Sequence, residues 1–530
     1  MKYVSVMQPT FLPWLGYFAL LDSVDTFIYL DDVQFEKRGW QMRNFIKGAN
    51  GPVMLSLNVK SKPSRPLICD TQLADTGFEI KLLRTIENLL RPAPFSDQAI
   101  NLVKESFEVS GGSLSFLNRT IIKKISDLIS GYENEVIELR HWFHENAELS
   151  NREFKTSERI ADELRKIGLE PQTGIAKTGV VAVLKGGKPG PVVALRADID
   201  GLPVKERADL TWASKMIGEY NGEEVPVMHA CGHDTHTAIL LGVAKVLYDI
   251  KDQIPGSIKF IFQPAEEGAP AGEEGGAELM VKEGVLKNPD VDAIFGLHIW
   301  SQISAGKVYV RPKGIMAAVN EFRIDIEGVQ THGSTPWTGV DPIVTASQMI
   351  NSIQTIVSRS MPLTEAAAVV TIGSIHGGVR SNIIPESLYM LGTIRTLDEN
   401  MKKTVLKRLE KIVYNIAEAN NAKAKITYLV SYPITYNDPE LYNQMLPSLK
   451  RINGSENVNS MNAITGAEDF SFFQEKIPGI YFFIGGAKKG TDPSKAAPHH
   501  TPDFYVDDSA MLTGMKSMTT LTLDYLKNNK

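Results

Sequence analysis

The chain has 530 residues, 43% of them hydrophobic and 22% charged, a globular composition long enough for about three domains of ordinary size. Its formal net charge of -6 is spread without blocks, which leaves no electrostatic footprint for nucleic acid. Two cysteines, Cys69 and Cys231, lie too far apart in the chain to organise a disulfide framework, and no run of about 18 apolar residues offers a membrane span. The opening MKYVSVMQPTFLPWLGYFALLDSVDTF lacks a basic start and a small-residue cleavage site, and Pro9 and Pro13 interrupt it. The expected setting is therefore the cytoplasm, with no membrane and no nucleic acid as partner.

The histidines divide the chain. None of the ten precedes His141, so a first unit of about 1–130 is set apart from the chemistry of the rest. That unit opens with strand-like YVSVMQP and FIYLDDVQF and closes in helical FEIKLLRTIENLL and SLSFLNRTIIKKISDLI, after which Ser130-Gly131 offers a join. Trp14, Tyr17 and Trp40 lie beside Lys37, Arg38 and Arg43, a mixture that suits a sugar or phosphate site and equally a core with a solvated rim.

From Asn134 the pattern becomes ELRHWFHENAELS and TSERIADELRKIGLE, both helical, and then strands alternating with helices: VVAVLKG, PVVALRADID, SIKFIFQP, AIFGLHIW and GIYFFIGG. This predicts an α/β sandwich with a largely parallel sheet, its catalytic domain split into 132–316 and 430–530. Between them, 317–429 holds strands and two helices in the order strand-helix-strand-strand-helix-strand, which predicts an inserted α+β, ferredoxin-like domain.

The densest chemistry is His229-Ala-Cys231-Gly-His233-Asp234-Thr-His236, directly before a helix. On a turn opened by Gly232, Cys231 and His233 can converge on one ion. Thiolate and imidazole suit zinc or another borderline divalent metal at about 2.0–2.3 Å, with Asp234 or His236 holding the ligands from behind. Gln263-Pro264-Ala265-Glu266-Glu267-Gly268 closes the strand SIKFIFQP. There one glutamate can bind metal while its neighbour reaches an activated water. His298, the pair Asp198 and Asp200, and His499-His500 all fall at apparent C-terminal ends of strands, where open α/β sheets gather ligands.

These segments, with THGSTPWTGVDPI, SNIIPE, GTIRT, GAEDFSFF and PHHTPDF, resemble the hippurate hydrolase and N-acyl-L-amino-acid amidohydrolase branch of the aminoacylase/carboxypeptidase metallopeptidases over about 134–528. The resemblance implies a two-metal centre held by Cys231 (bridging), His233, Glu267, His298 and His500, with zinc, manganese, cobalt or nickel as the ions. His500 rather than His499 occupies the family's position before Thr-Pro-Asp-Phe. It implies Glu266 as general base and later proton donor, Asp200 as support behind the site, and His332, Asn382 and Arg395 of the inserted domain as contacts to substrate or oxyanion. It further implies a small N-acyl amino acid as substrate and a homodimer formed through the inserted domain. A dipeptidase or carboxypeptidase, a deacylase of an amino sugar, and a non-catalytic binding protein are the alternative readings. The first 130 or so residues resemble a truncated WbqC-like segment, of a family associated with surface-polysaccharide biosynthesis, and imply no activity.

Overall fold

The computed structural model describes residues 4–12, 26–48, 51–60, 66–91 and 96–529, in two compact units, Met1–Glu135 and Val136–Lys530. In the first unit, β1 (Val4–Met7) pairs parallel with β2 (Thr26–Tyr29), and β3 (Arg43–Gly48) pairs antiparallel with β4 (Gly51–Ser56). The helices α1 (Phe78–Leu90), α2 (Ser96–Val109) and α3 (Leu114–Glu145) follow. Phe11, Leu55, Leu57, Ile68, Leu82, Ile86, Leu117 and Ile121 form this unit's core. The β3–β4 hairpin and α2 go beyond the elements expected from the sequence, because Asn44, Lys47 and Pro52 interrupt the hairpin's apolar pattern. Ser130-Gly131 lies inside α3, and the division between the two units falls a few residues later, at Glu135/Val136. A lone glycine costs a helix only about 1 kcal/mol, too little to end one that long. Of the aromatic and basic residues singled out here, Trp14 and Tyr17 lie outside the described residues, while Trp40, Lys37 and Arg38 are exposed.

The second unit is built on an eight-stranded sheet. In chain order its early elements are α4 (Phe154–Ile167), β5 (Gln172–Ile175), β6 (Gly179–Lys185), β7 (Lys188–Asp198), the small hairpin β8 (Ile217–Tyr220) and β9 (Glu223–Pro226), α5 (His233–Asp249) and β10 (Pro255–Gln263). They are followed by α6 (Gly276–Lys282), β11 (Ala293–Ser304), β12 (Val308–Tyr309) and β13 (Lys313–Met316). After an insertion the chain returns with β20 (Thr435–Asn437), α9 (Pro439–Asn453), β21 (Val458–Asn459), α10 (Ser471–Gln474), β22 (Gly479–Ala487) and α11 (Met511–Asn528). The strand order is β21-β12-β22-β11-β7-β10-β6-β5. The centre is parallel (β10 with β7, β7 with β11, β11 with β22), and antiparallel pairs lie toward both edges.

Period-two alternation makes this sheet a sandwich. Val193, Leu195 and Ala197 of β7, with Ile258, Phe260 and Phe262 of β10, enter one apolar cluster with α4, α5 and α11. Their neighbours Ala194 and Ile261 enter a second cluster on the opposite face, with Ala277 and Phe470. Side chains buried on both faces explain why these strands read as continuous apolar runs.

The insertion holds β14 (Ala318–Glu327), β15 (Thr331–His332), α7 (Pro342–Ser360), β16 (Ala368–Gly377), β17 (Ile383–Ile384), β18 (Ser387–Thr396), α8 (Glu399–Ala419) and β19 (Lys423–Tyr432). Its four-stranded sheet, β16-β18-β14-β19, is antiparallel throughout. Phe322, Ile324 and Ile326 of β14 pack on Met349, Ile353 and Ile356 of α7 and on Val405, Leu409 and Val413 of α8. Both helices begin on an aspartate that accepts from backbone N–H groups, Asp341 and Asp398.

Candidate metal centre

Three chain turns aim the polar side chains at one place. After Cys231, Gly232 takes φ 96° and α5 begins at His233; a Cβ on Gly232 would lie 2.5 Å from Ile299 Cγ2, so only glycine fits. After β10 ends at Gln263, Ala265 adopts φ 52°, so Glu266 and Glu267 lie beyond a left-handed turn and not on the strand. His500 also sits in the left-handed region, at φ 62°, and its N–H donates to Ala230 O at 2.9 Å, which ties the 499–500 loop to the Cys231 turn. His298 is not at a strand end. It lies within β11, just beyond Gly296, the last residue of β11 that pairs with β7, so the site opens where the β11–β7 pairing has ended.

Backbone atoms set the histidine tautomers. His233 Nδ1 donates to Asp200 O at 2.9 Å and His298 Nδ1 donates to Ile299 O at 2.6 Å, because a carbonyl only accepts. Each therefore turns an Nε2 lone pair inward; that of His298 lies 3.4 Å from Cys231 Sγ. His236 and His499 are the reverse. Ile299 N–H donates to His236 Nε2 at 2.8 Å and Ser301 N–H donates to His499 Nε2 at 3.2 Å, leaving protons on both Nδ1 atoms. The proton on His236 goes to Asp198 Oδ1 at 2.5 Å. His236 is thus an orienting group and offers no lone pair to a metal. His500 Nε2 lies 3.3 Å from Cys231 Sγ and 3.2 Å from Glu267 Oε1.

The five residues Cys231, His233, Glu267, His298 and His500 thus converge, in overlapping groups whose ligand atoms lie within 4.8 Å of one another. His233 Nε2 is buried with no hydrogen-bond partner among the described residues, and Glu267 Oε1 faces His500 there. Burial, then Glu267 and Glu266, pushes the Cys231 thiol well above its usual range. Only a cation reverses that field, and a thiolate, imidazoles and a carboxylate are the donor set of a borderline divalent ion. The donors fit such ions.

Glu266 is buried close by, 3.9 Å from His233 Nε2. Burial first, then the charges of Glu468, Glu267, Asp469 and Asp198, holds its carboxyl well above the ordinary carboxylate range. Asp200 Oδ2 accepts from Ser150 Oγ at 2.7 Å and from Glu267 N at 3.1 Å, while its carbonyl fixes His233. One aspartate thereby orients residues from two turns. Behind it, Arg196 donates to Gln263, Asp198, Glu468 and Asp469, all at 2.7–3.0 Å and all buried. Sequence reading assigned Arg196, Glu468 and Asp469 no role, and took Asp198 only as a strand-end candidate. The available signal was an arginine inside the apolar strand PVVALRADID, since a buried guanidinium requires anionic partners.

A second network lies under the Cys231 turn. Arg140 Nε and His144 Nδ1 both donate to Asp234 Oδ2, at 3.1 and 3.0 Å, and His144 Nε2 faces Glu206 at 3.2 Å. Burial alone would lower the His144 pKa, yet Asp234 and Glu206 lift it to about 8. The folded value exceeds the unfolded one of about 6.5, so this stabilisation is full below pH 6.5 and is lost as pH rises through 8. It amounts to about 2 kcal/mol. The unfolding midpoint should fall over that window, and His144→Gln should flatten the fall; an identical pH profile in the variant would remove His144 as its cause.

The remaining expected site residues belong to the inserted domain. β15 pairs with β17, His332 opposite Ile383, and Gly333 N–H donates to Asn382 O at 2.8 Å, so His332 and Asn382 are neighbours, both exposed. Arg395 is half-buried on β18, opposite Val319 and Val369. Among the described residues, His332 belongs to none of the groups of His, Cys, Asp and Glu side chains that could share an ion.

Residues 194–524 match the peptidase family M20/M25/M40, and residues 8–170 match the WbqC-like protein family, past the 130 or so expected from sequence. Thermostable carboxypeptidase 2 of Saccharolobus solfataricus is 39% identical over 409 residues, 76% of this chain and 99% of that protein. N-acetylcysteine deacetylase of Bacillus subtilis is 34% identical over 403 residues, 75% and 99% of the two chains. Among solved structures, the YXEP protein of Bacillus subtilis, described as a dinuclear metal-binding peptidase, is 32% identical with a TM-score of 0.62, covering 75% of this chain and 99% of that one.

Proposed function

The chain belongs to peptidase family M20/M25/M40 and is a hydrolase of amide bonds, and from that premise we propose that it cleaves the acyl group from N-acyl amino acids. The observation that carries the reading is the inward-facing donor set of Cys231, His233, Glu267, His298 and His500, with Glu266 beside it. These five residues would hold two divalent ions drawn from zinc, manganese, cobalt and nickel. Such ions polarise an amide carbonyl and lower the pKa of water to about 7.

The chain's own groups carry the rest. Glu266 takes the proton from the attacking water and returns it to the departing amine nitrogen, so one carboxyl serves both halves of the reaction. Asp200 keeps His233 and Glu267 in register with it. His332, Asn382 and Arg395 are the proposed contacts to the oxyanion and the substrate carboxylate, brought in by the inserted domain. Strand β16 at the edge of that domain's sheet, with exposed Val369 and Ile375, supports pairing of two copies there.

Identity to a carboxypeptidase favours a second reading, cleavage of C-terminal residues from peptides. Metal-stripped protein, with each ion restored in turn, should release acid from hippurate and N-acetyl amino acids. Turnover of dipeptides alone would establish the second reading. Turnover of N-acetylglucosamine alone would replace both with sugar deacylation. A monomer mass in solution would remove the proposed dimer.

A further inference from the structure

Four histidines crowd Cys231, and one of them has no part in the chemistry described above. His499 packs between Trp300 and Phe504, with ring centroids at 4.8 and 4.7 Å, and lies 5.3 Å from His298. Its Nδ1 is 3.7 Å from Cys231 Sγ. We infer that His499 is a positioning residue that tunes the metal centre from outside its ligand set, by donating its Nδ1–H to the Cys231 sulfur. The inference rests on the reading of Cys231 as a metal-bound thiolate.

The tautomer argument decides between ligand and donor. Ser301 N–H has no choice but to donate, so His499 Nε2 is the acceptor and the neutral ring carries its proton on Nδ1. A protonated nitrogen offers no lone pair to a cation, but beside a thiolate it forms a charge-assisted hydrogen bond. The ring's position is fixed from both sides. Ser301 Oγ donates to Ala497 O at 2.7 Å, holding the loop to β11, and His500 N–H holds it to the Cys231 turn through Ala230 O at 2.9 Å. The two adjacent histidines of Pro-His-His-Thr-Pro therefore divide the work: His500 presents its Nε2 to Glu267 and Cys231, and His499 presents an N–H. Drawing charge from the sulfur lowers the energy of its lone pairs and favours the thiolate, the form that binds metal, over the thiol.

The test uses the full-length protein loaded with cobalt(II), read by the sulfur-to-cobalt charge-transfer band and by competition with a chelator. His499→Phe keeps the ring between Trp300 and Phe504 and removes the donor. Its band should move to longer wavelength, and its cobalt affinity should fall by about 10–100-fold, the usual effect of losing a group behind a ligand. His499→Asn places an amide N–H where Nδ1 stood and should restore both. His499→Gln places its amide at the Nε2 position and should behave like the phenylalanine variant, so the Asn/Gln pair decides the matter even where His499→Phe does not fold. A band unmoved in the phenylalanine and glutamine variants overturns the inference alone. Loss of one bound cobalt equivalent overturns it by making His499 a ligand. Wild-type protein that shows no sulfur-to-cobalt band overturns the metal-thiolate reading and the inference with it.

Discussion

Glu266→Gln is expected to bind metal as the wild type does and to turn over about 10²–10⁴-fold more slowly, the range associated with losing a positioned acid-base group. The substitution is nearly isosteric in a buried position, and Glu266 is not among the five proposed ligands. The amide keeps the shape and can still donate and accept hydrogen bonds, but it cannot take up and give back a proton. The site explains why this group suits both halves of the reaction. Burial and the carboxylates of Glu468, Glu267 and Asp469 favour its protonated form, while divalent ions held by the neighbouring ligands would favour the ionised one. A carboxyl subject to both fields can take up a proton in one half of the reaction and release it in the other. The wild-type rate should therefore rise with pH as Glu266 ionises, and the variant's residual rate should lack that limb. Both kcat and kcat/KM should fall together, since the interaction is made in the transition state. Turnover within a few-fold of wild type, at equal metal content, would take the base role away from Glu266.

How far the residues alone lead is clearest at the histidines. His229-Ala-Cys231-Gly-His233-Asp234 and Pro264-Ala265-Glu266-Glu267 mark a metal site because several metal-binding side chains share a short turn. Which of them carry lone pairs is another matter. That is settled by Ile299 N, Ser301 N, Ile299 O and Asp200 O, backbone atoms whose positions depend on how β11 and β7 lie in the sheet. Nothing in the sequence encodes the register of strands separated by a hundred residues. The same reason misplaces His298 at a strand end, since β11 continues past it while its pairing with β7 does not. The inserted domain is the opposite case. Residues four apart in α8, Met401, Val405, Leu409, Val413 and Ala417, are buried, so period and burial agree and the fold there is local enough to read. The proposed roles of His332 and Asn382 have no such local signature.

Arg196→Leu should destabilise the metal-free protein by about 3–5 kcal/mol, the cost of breaking a buried ion pair from one side. The reasoning starts from solvation. Arg196 and the carboxylates of Asp198, Glu468 and Asp469 are all at most 2% exposed, so none of them has water to fall back on. One guanidinium compensates three acids, with Gln263 Nε2 and the Ala277 N–H sharing Asp469, and Tyr481 Oη donating to Glu468 at 2.5 Å. Removing the cation leaves like charges together in a low-dielectric layer between β7 and α10. Burial already holds the Asp469 carboxyl above the unfolded value near 4 with Arg196 in place, and losing the guanidinium raises it further. A raised carboxyl weakens the fold increasingly as pH climbs above that unfolded value, so the defect should be largest at pH 8 and partly relieved at pH 5. Glu468→Gln placed on top of Arg196→Leu should recover stability, because it removes one stranded charge while keeping a partner for Tyr481. A double variant that loses the sum of the two single costs would show that Arg196 acts by packing alone. The metal centre depends on the same network. Asp198 leans on Arg196 from one side and fixes His236 on the other, and His236 in turn accepts from Ile299 N–H beside His298. Loosening Arg196 should therefore weaken metal binding as well as the fold, which ties the buried charge under the sheet to the chemistry at its edge.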